Sequence, residues 1–219
     1  MKHNVLFYRG SGKVGNLVGY STLGKQVFRA YQPEVQNPKT TAQENQRKKF
    51  NVMLEAARMF RPAYLLGMKD EGRANKRTAF AQFMSINFPF VVGESPSQYH
   101  LNPPAAICAQ GNLPGVDVEF AAQVPAGAEE AMRVLDYHAS DTGALASDDM
   151  YVIVVNFEKS QVSMSGPTKR DGSSRIEVKI PAAWDGDEVH FYSFVAGTAG
   201  DNLGKSSVST WMGAAHVGQ

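Results

Sequence analysis

The stretch Asn37 to Pro62, NPKTTAQENQRKKFNVMLEAARMFRP, constrains the fold more than any other part of the chain. It reads as one helix with a start, a stop and a buried face. Pro38 cannot continue a strand ladder, so the chain is punctuated there. Thr41 followed by Glu44 matches a capping box, in which the hydroxyl takes the amide three residues on and the carboxylate reaches back. Thr41→Ala is then expected to cost about 1 kcal/mol of helix stability. Pro62 can begin a further turn but disfavours helix at Arg61. Phe50, Met53, Leu54, Ala57 and Phe60 recur at helical spacing and predict the core face.

Gln43, Gln46 and Arg47 prolong that face toward the N-terminus, so it begins polar. Those groups either hydrogen-bond the preceding arm or face a partner. On the opposite side Val52 and Met59 stand seven apart with Ala56 beside them. Scattered exposed apolar residues are common. The alternative is a second stripe for a neighbouring subunit, which makes Val52 and Met59 the candidate self-assembly contacts.

Charge is strongly divided. The 219 residues carry net +1, but residues 1–100 hold 15 Lys+Arg against 6 Asp+Glu, and residues 101–219 hold 7 against 15. The first part is therefore +9 and the second −8. A basic half is the electrostatic footprint of nucleic-acid binding. Equally, the halves can attract each other, or the opposite half of the next copy, giving head-to-tail complementarity. No apolar run is long enough to span a membrane. The N-terminal apolar run is too short for a signal peptide. The expectation is a chain made in the cytoplasm, found there or in a virion or released particle. The single Cys108 excludes an internal disulfide and a cysteine-based zinc site. Its small apolar neighbours predict a buried strand cysteine.

Asn4 to Tyr8 is a short strand candidate, followed by Gly10, Gly12 and Gly15 in a G-x-G-x-x-G pattern. A dinucleotide site would need a helix next. The text that follows, NLVGYSTLGKQVFRAY, is a hairpin instead. A Walker loop also fails, with Phe7 at its first glycine position and Val14 after Lys13. These glycines fit close backbone approach or bulges. Val14 to Ser21 and Gln26 to Tyr31 form the hairpin, turning through Thr22 to Lys25 with Gly24 at positive φ. Val27, Arg29 and Tyr31 share one side; Phe28 and Ala30 share the other.

After the main helix, Ala63 to Met68 predicts a short second helix and residues 69–77 a charged loop. Thr78 to Phe88 predicts a third helix with Phe80, Phe83 and Met84 inward. Prolines and glycines then punctuate 89–104, and a domain boundary is placed near 98–104, giving 1–100 and 101–219. Beyond it the text becomes strands. Val116, Val118 and Phe120 alternate with Asp117 and Glu119. Further candidates are Ala105–Ala109, Ala131–His138, Met150–Phe157, Gln161–Ser165, Arg175–Ile180, Glu188–Ala196 and Ser207–Trp211. Turn residues separate them at Pro125, Asp171, Asp185 and Asp201 to Gly204. Short strands at this spacing predict an antiparallel β-sandwich of the Ig or fibronectin type III kind. The predicted class is α+β: an N-terminal β-hairpin, two or three helices, then the sandwich. Tyr192 would be its corner or core tyrosine.

The elements GKVGNLVGY, GKQVFRAY, NPKTTAQENQR, FNVMLEAARMFRPAYLLGM and TAFAQFMSINF, in that order, resemble an uncharacterised domain family. The VDVEF strand and the P-x-x-W-x-G-D-x-V-x-F-Y-x-F stretch at Pro181 to Phe194 extend the resemblance over nearly the whole chain. That family is found mainly in Bacteroidota and their phages. The resemblance implies no activity and supplies no catalytic residues.

No chemistry is legible directly. His3, His100, His138, His190 and His216 do not fall at metal-ligand spacing. The acidic pairs Glu129-Glu130 and Asp148-Asp149 lie at predicted turns and lack the alternating oxygens of a calcium loop. No G-x-S-x-G occurs. The expectation is a non-enzymatic protein with no cofactor and no metal. The leading reading is a structural or assembly protein of phage type, a homo-oligomer or a component docked on other particle proteins. The alternative is a sequence-nonspecific nucleic-acid binder using Arg29, Lys48, Arg58, Arg73, Lys76 and Arg77 on phosphates. A third is a surface- or carbohydrate-binding module with Trp184, Tyr192 and Trp211 as aromatic platforms.

Overall fold

The computed structural model describes residues 11–22, 24–34, 38–122, 130–139, 148–169, 175–198 and 200–217; for 117–122, 130–139 and 175–177 only the backbone is considered. The strand expected at Asn4–Tyr8 and the turns expected at Pro125 and Asp171 lie outside the described residues. The chain divides into two compact units, Met1–Glu44 and Asn45–Gln219.

In the first unit, strands β1 (Gly12–Val14), β2 (Leu17–Thr22) and β3 (Lys25–Ala30) form an antiparallel sheet in that order. The third strand comes from the glycine-rich segment itself. Gly12 lies opposite Gly19 and Val14 opposite Leu17, leaving the two-residue loop Gly15-Asn16. Gly15 has φ +58°, the glycine-first signature of a two-residue hairpin turn. A Cβ on Gly19 would stand 3.0 Å from the Phe28 ring on the neighbouring strand, so this glycine makes room for a cross-strand aromatic.

In the second unit the helices are α1 (Thr41–Met59, begun at the junction), α2 (Arg61–Gly67), α3 (Lys69–Ala74) and α4 (Ala79–Asn87). The cap of α1 is one residue earlier than expected. The Thr40 hydroxyl accepts from the Gln43 amide, and the returning arm is not made, since the side-chain oxygen of Gln43 is buried without a hydrogen bond. Thr40→Ala, rather than Thr41→Ala, is therefore expected to lower stability by about 1 kcal/mol in urea unfolding. Residues 69–74, expected as loop, are helical: Asp70 and Glu71 sit in the first turn of α3 and Arg73 in its last. Thr78 caps α4, its hydroxyl accepting from the Ala81 amide at 3.1 Å.

The buried stripe of α1 is rotated from the expected one. Met53, Ala57 and Phe60 are inside, but Phe50 is 47% exposed. Ala56 and Met59 are buried instead, with Val52 packed partly buried against the same core. Phe83 and Met84 of α4 are buried as expected, whereas Phe80 is exposed.

A short hairpin follows, β4 (Val91–Val92) with β5 (His100–Leu101). Seven strands then complete the fold: β6 (Val116–Ala122), β7 (Glu130–Ala139), β8 (Asp149–Asn156), β9 (Gln161–Lys169), β10 (Arg175–Pro181), β11 (Glu188–Ala196) and β12 (Thr210–His216). They form two antiparallel sheets, β10-β7-β6 and β12-β11-β8-β9. Three strands on four in this crossed order make the sandwich that the alternating text predicts.

The run MYVIVV of β8 explains the layering. Met150, Val152 and Val154 join Val178 and Ile180 of β10 and Val189, Phe191 and Val195 of β11 between the two sheets. Tyr151, Ile153 and Val155 face the other way, into a cluster with Met53, Phe60, Tyr64 and Phe83 of the helices and Tyr192 and Phe194 of β11. Every residue of β8 is buried, as a strand covered on both faces requires. Each such side chain contributes about 1.5–3 kcal/mol. Helices and sandwich thus share one core, and the boundary expected near 98–104 falls inside a single unit. The division lies at Glu44/Asn45 instead.

Ala105–Ala109, expected as a strand, is buried but unpaired with any sheet. Its ends bond to other backbone groups, the Ala105 and Ala106 amides to Asn102 and Pro103 and the Ala109 carbonyl to the Ser209 amide, and its middle is satisfied by side chains. Asn87 Oδ1 accepts from the Ile107 amide at 2.7 Å, and Asn87 Nδ2 donates to the Ile107 carbonyl at 2.8 Å. The Ser209 hydroxyl accepts from the Cys108 amide at 2.9 Å.

Candidate functional site

A cleft of about 340 Å³ lies between α3 and the loops 110–114 and 202–206, lined by Asp70, Glu71, Asn112, Asn202, Lys205 and Ser206 among others. Its buried hydroxyl is occupied: Ser206 Oγ donates toward the carbonyls of Gly67 at 2.6 Å and Gln110 at 2.9 Å. No histidine or cysteine lines it. The cleft therefore offers carboxylates and a lysine at a solvent-open edge, without a nucleophile and base in contact.

Cys108 is fully buried in a loop rather than a strand, and burial pushes its thiol up to about 12. The thiolate needed for reaction is suppressed. Cys108 is expected to remain unmodified by maleimide at pH 8 in the native protein and to react fully in denaturant. Rapid native labelling would contradict the burial.

His190 sits edge-on to Phe157, and burial lowers its pKa. His100 Nδ1 meets the Gln98 carbonyl at 2.9 Å. His3 and the side chain of His138 lie outside the described residues. Among the described residues no three of His, Cys, Asp or Glu gather where they could hold a metal ion. Asp148 is buried and accepts from the Asn202 amide at 3.0 Å, while Asp149 pairs with Lys169. The expected aromatic platforms are mostly internal. Trp184 is buried and donates to Gln161 Oε1 at 2.6 Å; Tyr192 is buried and its hydroxyl donates to the Pro103 carbonyl at 2.9 Å. Trp211 packs partly buried against the helix-side core.

The stripe assigned to self-assembly is likewise internal. Met59 is 6% exposed and Val52 packs beside it, so the chain's own core covers both. The six candidate phosphate contacts are all exposed. They are divided between the units, with Arg29 on β3 and Lys48, Arg58, Arg73, Lys76 and Arg77 in the second. Arg77 already donates to Ser85 Oγ at 2.8 Å. Lys76 closes α3 at φ +54°, a conformation glycine adopts without strain. Lys76→Gly is expected to leave stability unchanged or raise it by up to about 1 kcal/mol in thermal unfolding.

The N-terminal sheet has two unlike faces. Register places Lys13, Val18, Tyr20, Lys25, Val27 and Arg29 on one face, joined by Tyr31, over whose ring Lys13 Nζ stands at 3.4 Å. Val14, Leu17, Phe28 and Ala30 fall on the other, which carries no charge. Val14, Leu17, Tyr20 and Tyr31 are all exposed, Val14 at 62%. No Asp or Glu occurs between Ser11 and Pro33. The alternation was readable, but its third strand was concealed in what looked like a phosphate loop.

A family model described as a family of unknown function (DUF6266) matches residues 9–212. No curated protein matches the chain, and no solved structure does. Among the described residues no helix is long and apolar enough to cross a membrane.

Proposed function

The chain belongs to that family of unknown function, and from this premise we propose a non-enzymatic structural or assembly role, as a homo-oligomer or as a component of a larger particle of phage type. The single observation that carries it is the N-terminal sheet. Val14, Leu17 and Phe28 are exposed together on its uncharged face and Tyr20 and Tyr31 on the other, and three strands cannot bury that surface between their own faces. Exposed apolar surface such as the Val14, Leu17 and Phe28 set is the mark of an interaction site. Ser206, Asn87 and Ser209 are meanwhile committed to backbone groups and the Cys108 thiol is buried, which supports a scaffold over a catalyst.

The test is light scattering behind size-exclusion chromatography on the full chain. The wild type is expected to run as a multimer. The pair Val14→Asp and Leu17→Asp is expected to shift it to a single chain with the circular dichroism unchanged. A wild type that stays monomeric at high concentration and joins no particle fraction would overturn the reading. Capsid, portal or tail genes beside its own would support the phage setting. The nucleic-acid reading keeps one observation, the acid-free basic and aromatic face of the ribbon.

A further inference from the structure

We infer that the basic face of the N-terminal sheet docks on the three-stranded sheet β10-β7-β6 of a second copy, in a head-to-tail contact. This rests on the assembly reading above and names its partner surface. The ribbon supplies one side of the match: Lys13, Lys25 and Arg29 on a face without a carboxylate, spaced by Val18, Tyr20 and Val27.

The register of the sandwich supplies the other. Val116, Val178 and Ile180 are buried between the sheets. Strand alternation puts Asp117, Glu119, Glu130, Asp136 and Glu177 at the opposite set of positions, with Arg175 and Lys179 as the only Lys or Arg in that set. By register Glu119 lies opposite Asp136, Asp117 opposite His138 and Asp136 also opposite Arg175. The set thus holds five acids against two bases, an excess that a cationic partner surface complements. The acid set and the ribbon each span three strands, so both sides of one contact are encoded in one chain.

A second copy fits this face better than a nucleic acid does. Base stacking along a strand needs successive open aromatic rings; Lys13 stands over the ring of Tyr31, which leaves Tyr20 as the open ring of this face. Because the two surfaces differ, the contact is heterologous, and it closes into a ring or runs on as a filament.

Sedimentation of the full chain tests this, first on the unmodified protein. Raising salt from about 50 mM to about 500 mM shortens the screening length from roughly 14 Å to roughly 4 Å, and the assembly is expected to dissociate. A contact held by apolar burial alone would hold or tighten instead, which would overturn the proposal. Charge reversal then identifies the surfaces. One variant carries Lys13→Glu, Lys25→Glu and Arg29→Glu; the other carries Asp117→Lys, Glu119→Lys and Asp136→Lys. Each alone is expected to lose self-association by about a hundred-fold or more, and an equimolar mixture to regain the wild-type mass. Failure of the mixture to recover, with both variants folded by circular dichroism, would refute it; if either variant misfolds, the salt series on the unmodified protein decides. So would ribbon-dependent retention of a single-stranded oligonucleotide by a chain that never self-associates. If Val14→Asp with Leu17→Asp disperses the assembly while charge reversal does not, the assembly role stands and this partner surface falls.

Discussion

Gly67→Ala is expected to destabilise the second unit by about 3 kcal/mol or more, lowering the melting temperature by roughly 10 °C. Gly67 ends α2, where a Cβ would lie 2.3 Å from Ala109 Cβ and 2.8 Å from Ala109 Cα. Neither atom can swing away, since one is backbone and the other is fixed to it. The helix end and the 105–113 segment would have to separate. That separation pulls on two hydrogen bonds at once, because the Gly67 carbonyl accepts from the Gln110 amide at 2.8 Å and from Ser206 Oγ at 2.6 Å. Urea unfolding of Gly67→Ala, Ala109→Gly and the double variant checks the cause. The double variant is expected to recover much of the loss, since it removes the closest atom. Gly115→Ala is the control: no heavy atom stands within 4 Å of its added Cβ, and the change is expected to be neutral or slightly stabilising. If Gly67→Ala unfolds like the wild type, the close approach of α2 to Ala109 is wrong.

How much of this was legible depends on which physical signal dominates each element. Strands with one buried face announce themselves: Val116, Val118 and Phe120 alternate with acids, and β6 is found there. The MYVIVV run of β8 said more than the prediction took from it. A strand apolar at consecutive positions needs cover on both faces. The three-stranded sheet covers only one, and the helices supply the other in a shared cluster. The prolines of 89–104 read as a linker because local punctuation carries no information about what packs across it. The face of α1 expected through Phe50, Met53, Leu54, Ala57 and Phe60 fails at Phe50 alone; Ala56 and Met59 are buried in addition, and Val52 and Leu54 pack partly buried against the same core.

The site was legible in composition more than in position. The charge division between the halves is in the sequence, and the structure converts part of it into two faces with opposite excess. Of the cations named from sequence, Arg29 alone lies on the ribbon face; the other five decorate α1 and the end of α3. Lys13 and Lys25 are not among those six: the glycine pattern around Lys13 is that of a nucleotide loop, and Lys25 falls in the expected turn Thr22 to Lys25. Alternation across Gly12 to Val14 would have found the first of them, since Lys13 lies opposite Val18 on the same face.

Asn87→Asp is expected to cost about 3–5 kcal/mol at pH 7, through a mechanism that pH can expose. Asn87 is fully buried, and its amide nitrogen donates to the carbonyls of Phe83 at 3.0 Å and Ile107 at 2.8 Å. Its oxygen accepts from the Ile107 amide at 2.7 Å. One side chain thus replaces the ladder partners that Ile107 lacks. A carboxylate keeps the acceptor but turns both donated bonds into repulsion between oxygens, in a core whose described buried residues include no cation. Protonation restores one donor. The folded-state pKa of the new acid must then lie above its unfolded value of about 3.9. The unfolded state ionises first as pH rises, so the deficit against wild type grows from about pH 4 upward and is smallest in acid. Asn87→Leu removes both kinds of bond without adding charge, so it is expected to be destabilising by about 1–3 kcal/mol for each orphaned Ile107 group, at every pH alike. Urea midpoints for the two variants and wild type at pH 4.5 and pH 7.5 separate the cases. A pH-independent loss in Asn87→Asp would mean the carboxylate reaches solvent, and that Asn87 does not hold the 105–109 segment as described.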